Sequence, residues 1–304
     1  MFERLIEAGL VKQKRYDNGL SVFKYSRKVF YDRLWDTDPL LLEARGIVLN
    51  DAGEPVIWPF TKVFNHMENG TDCELDREVC VVRKVNGFMA AARVYNGELI
   101  VSTTGSLDSD FAALARTYIE KLDVLEMRSN LTYIFEICDP SDPHIIEEEP
   151  GAYLIGARRM GNGVYPMAHE YQLDDLAKEI GAKRPEWSRM TFREAHHLAQ
   201  TCKHEGFMIR DENDGMGGTI MKIKSPHYLT KKFLMRMSAK KVDAMFEDKE
   251  EFLKSIDEEF YSVVHYITRW HYAEGWKEKT DQERREVIEM YFHEIIYDAK
   301  KGEY

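Results

Sequence analysis

The sequence predicts an α+β protein, with antiparallel sheets and flanking helices followed by a small all-α segment. Three observations carry this. Short apolar or alternating runs bounded by Gly and Asn recur between residues 20 and 224, which is strand and hairpin patterning. Longer helical spacing in that region is confined to 108–127 and 170–200. From about residue 229 strand signals stop, and apolar residues recur at turn-like intervals to 302. The expected division is 1–230 and 231–304.

Residues 1–20 read as a short helix (Leu5, Ile6, Leu10) ending toward Asn18-Gly19. Residues 20–34 alternate aromatic and aliphatic residues with bases and read as strands. Residues 43–57 read as a hairpin around Asp51-Ala52-Gly53, with Arg45 at the mouth of its first strand. Trp58 to Asn65 leads into a polar linker at 66–72. Cys80 to Arg83 reads as a buried strand, with Lys84 at its end and an Asn86-Gly87 turn beyond. Phe88 to Tyr95 pairs with Glu98 to Thr103 across Asn96-Gly97, a strong hairpin signal. Residues 108–127 form a helix capped by Ser106 or Asp108. Leu131 to Cys138 is a strand. Tyr153 to Arg159 and Val164 to Met167 form a hairpin around Gly161-Asn162-Gly163. Two short helices fill 170–200, separated near Pro185. His204 to Arg210 and Thr219 to Lys224 flank a glycine-rich turn.

With 304 residues, 44% hydrophobic and 31% charged, the chain has the make-up of a soluble globular protein of about two domains. It has no apolar run long enough to span a bilayer and no signal-peptide pattern at its start, so a cytoplasmic location is expected. Cys73, Cys80, Cys138 and Cys202 form no C-x-x-C pair, and the histidines have no zinc spacing. A net charge of -11, from 53 acids and 42 bases, argues against an indiscriminate nucleic-acid coat but leaves room for a local basic groove.

Four strands carry polar residues where apolar ones would be ordinary. Glu136 interrupts Ile134-Phe135-Glu136-Ile137, and Glu205 stands immediately before Gly206. Lys222 and Lys224 alternate with Met221 and Ile223, so both point to one face. Lys84 ends the fourth strand, partly desolvated and beside Arg83, which favours a nucleophilic amine. Alone, Lys-x-Asn-Gly reads rather as a hairpin with a surface lysine. Together, cations at strand ends suit phosphates, and two carboxylates suit a hydrated Mg2+. A nucleophilic lysine beside them implies nucleotidyl transfer through a phosphoramide.

On these residues the chain resembles the covalent nucleotidyltransferases, the polynucleotide ligases and mRNA capping enzymes. Their ordered motifs are matched by Lys84-Val85-Asn86-Gly87, Phe135-Glu136-Ile137, Glu205-Gly206-Phe207-Met208 and Met221-Lys222-Ile223-Lys224. Ala44-Arg45-Gly46-Ile47-Val48, Phe60-Thr61-Lys62-Val63-Phe64-Asn65 and Lys224-Ser225-Pro226-His227-Tyr228 make it most similar to the bacteriophage RNA ligase 1 type. The likeness runs from about residue 40 to 230. It implies an ATP-grasp-like ligase domain and an ATP-dependent RNA ligase using Mg2+, for which Mn2+ can substitute. Lys84 would carry AMP, and Lys222 and Lys224 would hold the α-phosphate. Glu136 and Glu205 would position the metal, while Arg45 and Lys62 would contact ribose or the outer phosphates. Phe64, Asn86 and Gly87 would belong to the nucleotide site, with adenine near Phe207 or Met208 and near Ile155.

The implied partner is RNA with 5′-phosphate and 3′-hydroxyl ends, with tRNA repair as a family expectation. A monomer is expected, working in the host cytoplasm if phage-encoded. Asn86 replaces the family's usual aspartate, and Ser102 and Thr104 replace two lysines. Two rival readings are a capping-type guanylyltransferase and an RNA-binding protein that has lost the chemistry. From Lys222 to Lys241 there are seven bases and no acid, and residues 243–259 then carry eight acids against two bases. The first block is the expected RNA-facing surface. The C-terminal aromatics divide between core positions and base-stacking candidates.

Overall fold

The computed structural model describes residues 1–161, 165–211 and 218–298 of the chain. Its strands are β1 (Val11–Arg15), β2 (Leu20–Tyr25), β3 (Arg45–Asn50), β4 (Pro55–Ile57), β5 (Glu78–Arg83), β6 (Phe88–Tyr95), β7 (Glu98–Thr103), β8 (Leu131–Cys138), β9 (Gly151–Arg159), β10 (Trp187–Thr191), β11 (Gly206–Arg210) and β12 (Thr219–Lys224). They form three four-stranded sheets, ordered β1-β2-β3-β4, β7-β6-β8-β9 and β10-β5-β11-β12. Every pairing in the first two sheets is antiparallel. With helices flanking the sheets and following them, the α+β expectation holds.

The chain forms two compact units that interleave in sequence. One comprises Met1–Val63, Val85–Ser188 and Arg210–Ile220; the other comprises Phe64–Lys84, Arg189–Ile209 and Met221–Tyr304. One crossing between them falls directly after Lys84.

In the first unit, β8 is buried at all eight positions because both its faces are covered. Tyr133, Phe135 and Ile137 meet Leu173, Leu176 and Ile180 of the helix Glu170–Ile180 and Ala115 and Ile119 of the helix Asp110–Ile119. Ala91 of β6 packs with Val22 and Val48 of the first sheet. Asn96 and Gly97 both have positive φ, the conformation a two-residue hairpin demands, and β6 pairs with β7 in the register expected of it.

In the second unit the expected helical segment is present as Pro226–Arg236, Ala239–Glu247, Lys249–Leu253, Tyr261–Trp270, Ala273–Glu278 and Asp281–Asp298. Ser225 and Ser238 cap the first two through side-chain acceptors. Phe233, Met245, Phe252, Phe260, Val263, Ile267 and Trp276 are buried. No helix among the described residues is long and apolar enough to cross a membrane.

Several local expectations are corrected. The first helix is only Glu3–Glu7, ending before Gly9 at φ 69°, and β1 follows it. Only Val11 of β1 is buried, so its strand character comes from pairing with β2 rather than from its own periodicity. Arg27–Tyr31 is helical where strand was expected, entered from extended Ser26. The helix Asp110–Ile119 is capped by Ser109, because Ser106 and Asp108 are engaged with Tyr16 and Lys14. Between the helices Glu170–Ile180 and Phe192–Thr201 lies β10, a polar strand that exists because it lies against β5. Of the expected 153–167 hairpin, Arg158 bridges Met167, while 162–164 lie outside the described residues. So do 212–217 of the glycine-rich turn.

Candidate functional site

The expected site residues divide between the units. Lys84, Glu205, Lys222, Lys224 and Phe64 lie in the second; Arg45, Lys62, Asn86, Gly87 and Glu136 lie in the first.

In the second unit, sheet order sets the lysine beside its carboxylate. β5 lies against β11, and the Lys84 N–H donates to the Gly206 carbonyl at 2.9 Å. Lys84 Nζ then reaches Glu205 Oε2 at 2.9 Å. Glu205 is 2% exposed, while the Lys84 side chain keeps 21% exposure. Glu205 Oε1 lies 4.0 Å from Lys224 Nζ, so one buried carboxylate faces two lysines. Gly206 is required here: its φ is 132°, and a Cβ would collide with the Ile223 carbonyl. The Ser225 N–H donates to Glu205 O, and Ser225 Oγ donates to His204 O, tying the end of β12 to the start of β11.

Lys222 is held by the segment that carries Phe64. Its N–H donates to Phe64 O, and its carbonyl accepts the His66 N–H, each at 3.0 Å. Lys224 is also ion-paired with Glu259, which Lys232 shares. Burial by itself would raise the Glu259 carboxyl; the two ammonium groups outweigh it and hold it down at about 2. Asp257 adds pairs to Lys232 at 2.9 Å and to Arg236. Three of the seven cations expected to face RNA are therefore matched by acids of the following block. Glu259 was missed by sequence reasoning; its only signal was an acidic run directly after a basic one.

In the first unit, Glu136 Oε1 accepts the Gly87 N–H at 3.1 Å. A Cβ on Gly87 would collide with the Ile137 carbonyl, so glycine lets the turn lie against β8. Asn86 is buried; its N–H donates to Glu148 Oε1 at 3.3 Å and its Oδ1 accepts the Ile146 N–H at 2.9 Å. The residue in the family's aspartate position thus anchors the 139–150 loop. Arg45 opens β3, and Lys62 Nζ lies 5.0 Å from the Trp35 ring centroid. The Lys62 segment is braced by Glu43, which accepts from Trp58 Nε1 at 2.6 Å, from Thr61 Oγ1 at 2.7 Å and from Arg158 at 3.2 Å. Burial lowers the Arg158 pKa, with Glu43 opposing. Neither Glu43 nor Arg158 stands out in sequence. Among the described residues no three His, Cys, Asp or Glu side chains gather as a metal cage.

Residues 43–240 match the RNA ligase family. The chain belongs to that family. RNA ligase 1 of bacteriophage TS2126 is 31% identical over 141 residues, covering 40% of this chain and 36% of that protein. This chain thus matches about a third of that relative's length. The fold is also that of an archaeal ATP-dependent RNA ligase (form 1), with TM-score 0.60 and 14% identity over 99% of this chain and 79% of that one. A protein of Aquifex aeolicus assigned as an ATP-dependent DNA ligase has TM-score 0.59 and 14% identity over the same shares. The fold is common to RNA and DNA ligases; the RNA ligase match rests on sequence. Within it lie all ten expected site residues, Arg45 to Lys224.

Proposed function

We propose that this chain is an ATP-dependent RNA ligase joining 5′-phosphate and 3′-hydroxyl ends through a lysyl-AMP at Lys84. The observation that carries the reading is the buried Glu205 carboxylate, 2.9 Å from Lys84 and 4.0 Å from Lys224. The Lys84 amine, having lost its proton, attacks the α-phosphorus of ATP. An N–P bond forms, the bond to the bridging oxygen breaks, and pyrophosphate leaves with the electron pair. Glu205 is a carboxylate within hydrogen-bond reach of the departing proton. Lys222 and Lys224 offset charge on the five-coordinate phosphorus.

A 5′-phosphate oxygen of RNA next attacks that phosphorus and releases Lys84. A 3′-hydroxyl then attacks the RNA phosphate, and AMP departs. Arg45 and Lys62 take ribose or outer phosphates, and Phe64 the nucleotide. Asn86 and Gly87 shape the turn beyond Lys84. Glu136 and Glu205 are buried carboxylates, the hard oxygen donors that suit Mg2+ or Mn2+ with retained waters. A bound ion supplies charge neutralisation at phosphate oxygens.

On this reading residues 1–230 carry the adenylyl chemistry and 231–304 form a module for RNA specificity. Trp270 and Tyr272, 65% and 69% exposed, are its base-stacking candidates, whereas Phe260 and Trp276 are core. The substrate class includes a cleaved tRNA. The protein acts as a monomer, in the host cytoplasm if phage-encoded.

The test is incubation with Mg2+ and α-labelled ATP or α-labelled GTP, followed by a denaturing gel, with Lys84→Ala alongside. Label from ATP that survives denaturation and vanishes in Lys84→Ala is the expected result. Label from GTP would turn the reading to capping. No label, after pyrophosphate has stripped any bound AMP, would leave an RNA-binding protein.

A further inference from the structure

Three cations stand in one row across the first sheet. Lys12 of β1 pairs with Lys24 of β2, and Lys24 pairs with Arg45 of β3. Lys12 and Lys24, directly opposed, project to the same face, and like charges so placed repel; the β2–β3 register shifts between Phe23 and Lys24, so Arg45 meets Lys24 at a β-bulge. The nearby pattern is different: Lys14, two residues along β1, is neutralised by Asp108. Lys12, Lys24 and Arg45 have no ion pair and no side-chain hydrogen bond among the described residues. The chain has 53 acids against 42 bases, so carboxylates are plentiful, yet none is placed here. An uncompensated row of this kind calls for an anion from outside.

Close packing beneath the row holds it in place. Gly46 has φ 91°, and its missing side chain lets β3 approach the backbone at Thr103 and Thr104, where a Cβ would stand 2.8 Å away. The Lys24 stem lies over Gly105, its Cδ 3.3 Å from where a Cβ would be. The row grades from exposed Lys12 and Lys24 to half-buried Arg45.

We infer that Lys12 and Lys24 form a track for the phosphodiester backbone of a single RNA strand, which runs along the row toward Arg45 at the nucleotide. Adjacent strands lie about 4.8 Å apart, so the row spans about 10 Å. With Arg45 at the outer phosphates of the nucleotide, the lysines at the far end of the row lie beyond their reach and suit successive phosphates of a polymer. Exposed lysines suit contacts that form by counterion release and carry no base preference. The inference rests on the ligase reading for the identity of the strand, and binding alone tests it.

The experiment titrates wild type, Lys12→Gln, Lys24→Gln and the double variant against a fluorescent single-stranded RNA with a 5′-phosphate, without ATP, at several salt concentrations. Each single variant is expected to lower the slope of log affinity against log salt by about 0.7, and the double variant by about 1.4. That corresponds to about fivefold weaker binding per contact near 0.1 M salt. Lys178→Gln, another exposed lysine of the same unit, controls for net charge. Unchanged slopes, an equal loss in the control, or no RNA binding by wild type would each overturn the track. The same proteins are assayed for covalent labelling from ATP. Intact RNA affinity with reduced labelling in the variants would also overturn it, giving the cations to the nucleotide. A wild type that binds RNA with the expected slopes yet takes no label upholds the track and sinks the ligase reading instead.

Discussion

Glu259 is ion-paired with Lys224, 35 residues earlier in the chain, and shares its other oxygen with Lys232. A carboxylate from the C-terminal helical segment thus sets the position of a lysine proposed to hold the α-phosphate. Glu205 Oε1 lies 4.0 Å from the same ammonium.

Glu259→Gln leaves two largely buried lysines without their shared counter-charge. Breaking a buried pair from one side costs about 3–5 kcal/mol. Urea denaturation is expected to register a loss of that order, and Lys224→Met with Glu259→Leu together is expected to recover much of it.

Stability should also depend on pH through this group. The Glu259 carboxyl is held at about 2, against 4.5 when unperturbed. A depressed folded-state pKa stabilises above the unfolded value and loses that contribution as pH falls toward the folded one. Between pH 4.5 and 2 the wild type is expected to lose about 3 kcal/mol from this group. Glu259→Gln should lack that component, giving a flatter acid limb in a pH series of chemical denaturation.

Glu205→Gln keeps the shape of the side chain and removes the charge facing Lys84 and Lys224. On the proposed mechanism, single-turnover labelling of Lys84 from ATP should slow about a hundredfold or more. Labelling at the wild-type rate would remove Glu205 from the chemistry.

Asn86→Ala leaves the Ile146 N–H without its acceptor, at a cost of about 1–3 kcal/mol. Asn86→Asp retains an acceptor oxygen and is expected to keep that hydrogen bond. Comparing the two by thermal denaturation separates the residue's anchoring role from any role in AMP transfer.

Gly206→Ala and Gly97→Ala test two different needs for glycine. Gly97 has positive φ with nothing within 4 Å of a Cβ, so its substitution should cost about 1 kcal/mol. Gly206 combines positive φ with collision against Ile223, and its substitution should cost clearly more and displace Glu205. Equal losses in the two variants would contradict the close approach.

Much of the fold is local enough to read along the chain. The Asn96-Gly97 turn, the β8 run, the β3–β4 hairpin and the helix around 110–119 follow from turn chemistry and periodicity, which are properties of neighbouring residues. The strands at 11–15 and 187–191 carry no such period and form because a partner strand is there. The helix at 27–31 is too short for periodicity to separate it from strand. Lys84, Glu136, Glu205, Lys222 and Lys224 were legible as candidates because charges inside apolar runs are conspicuous.

What those charges face is another matter. By itself the sequence determined the strand-rich region, the helical end and the match of residues 43–240 to the RNA ligases, and it marked out the candidate charged residues. The tertiary structure alone decided that Lys84 meets a carboxylate 121 residues away, that Glu259 neutralises part of the basic block, and that Lys12, Lys24 and Arg45 stand in one row. Pairing of this kind depends on strand order and register, which arise from contacts between distant segments and are written in no single one of them.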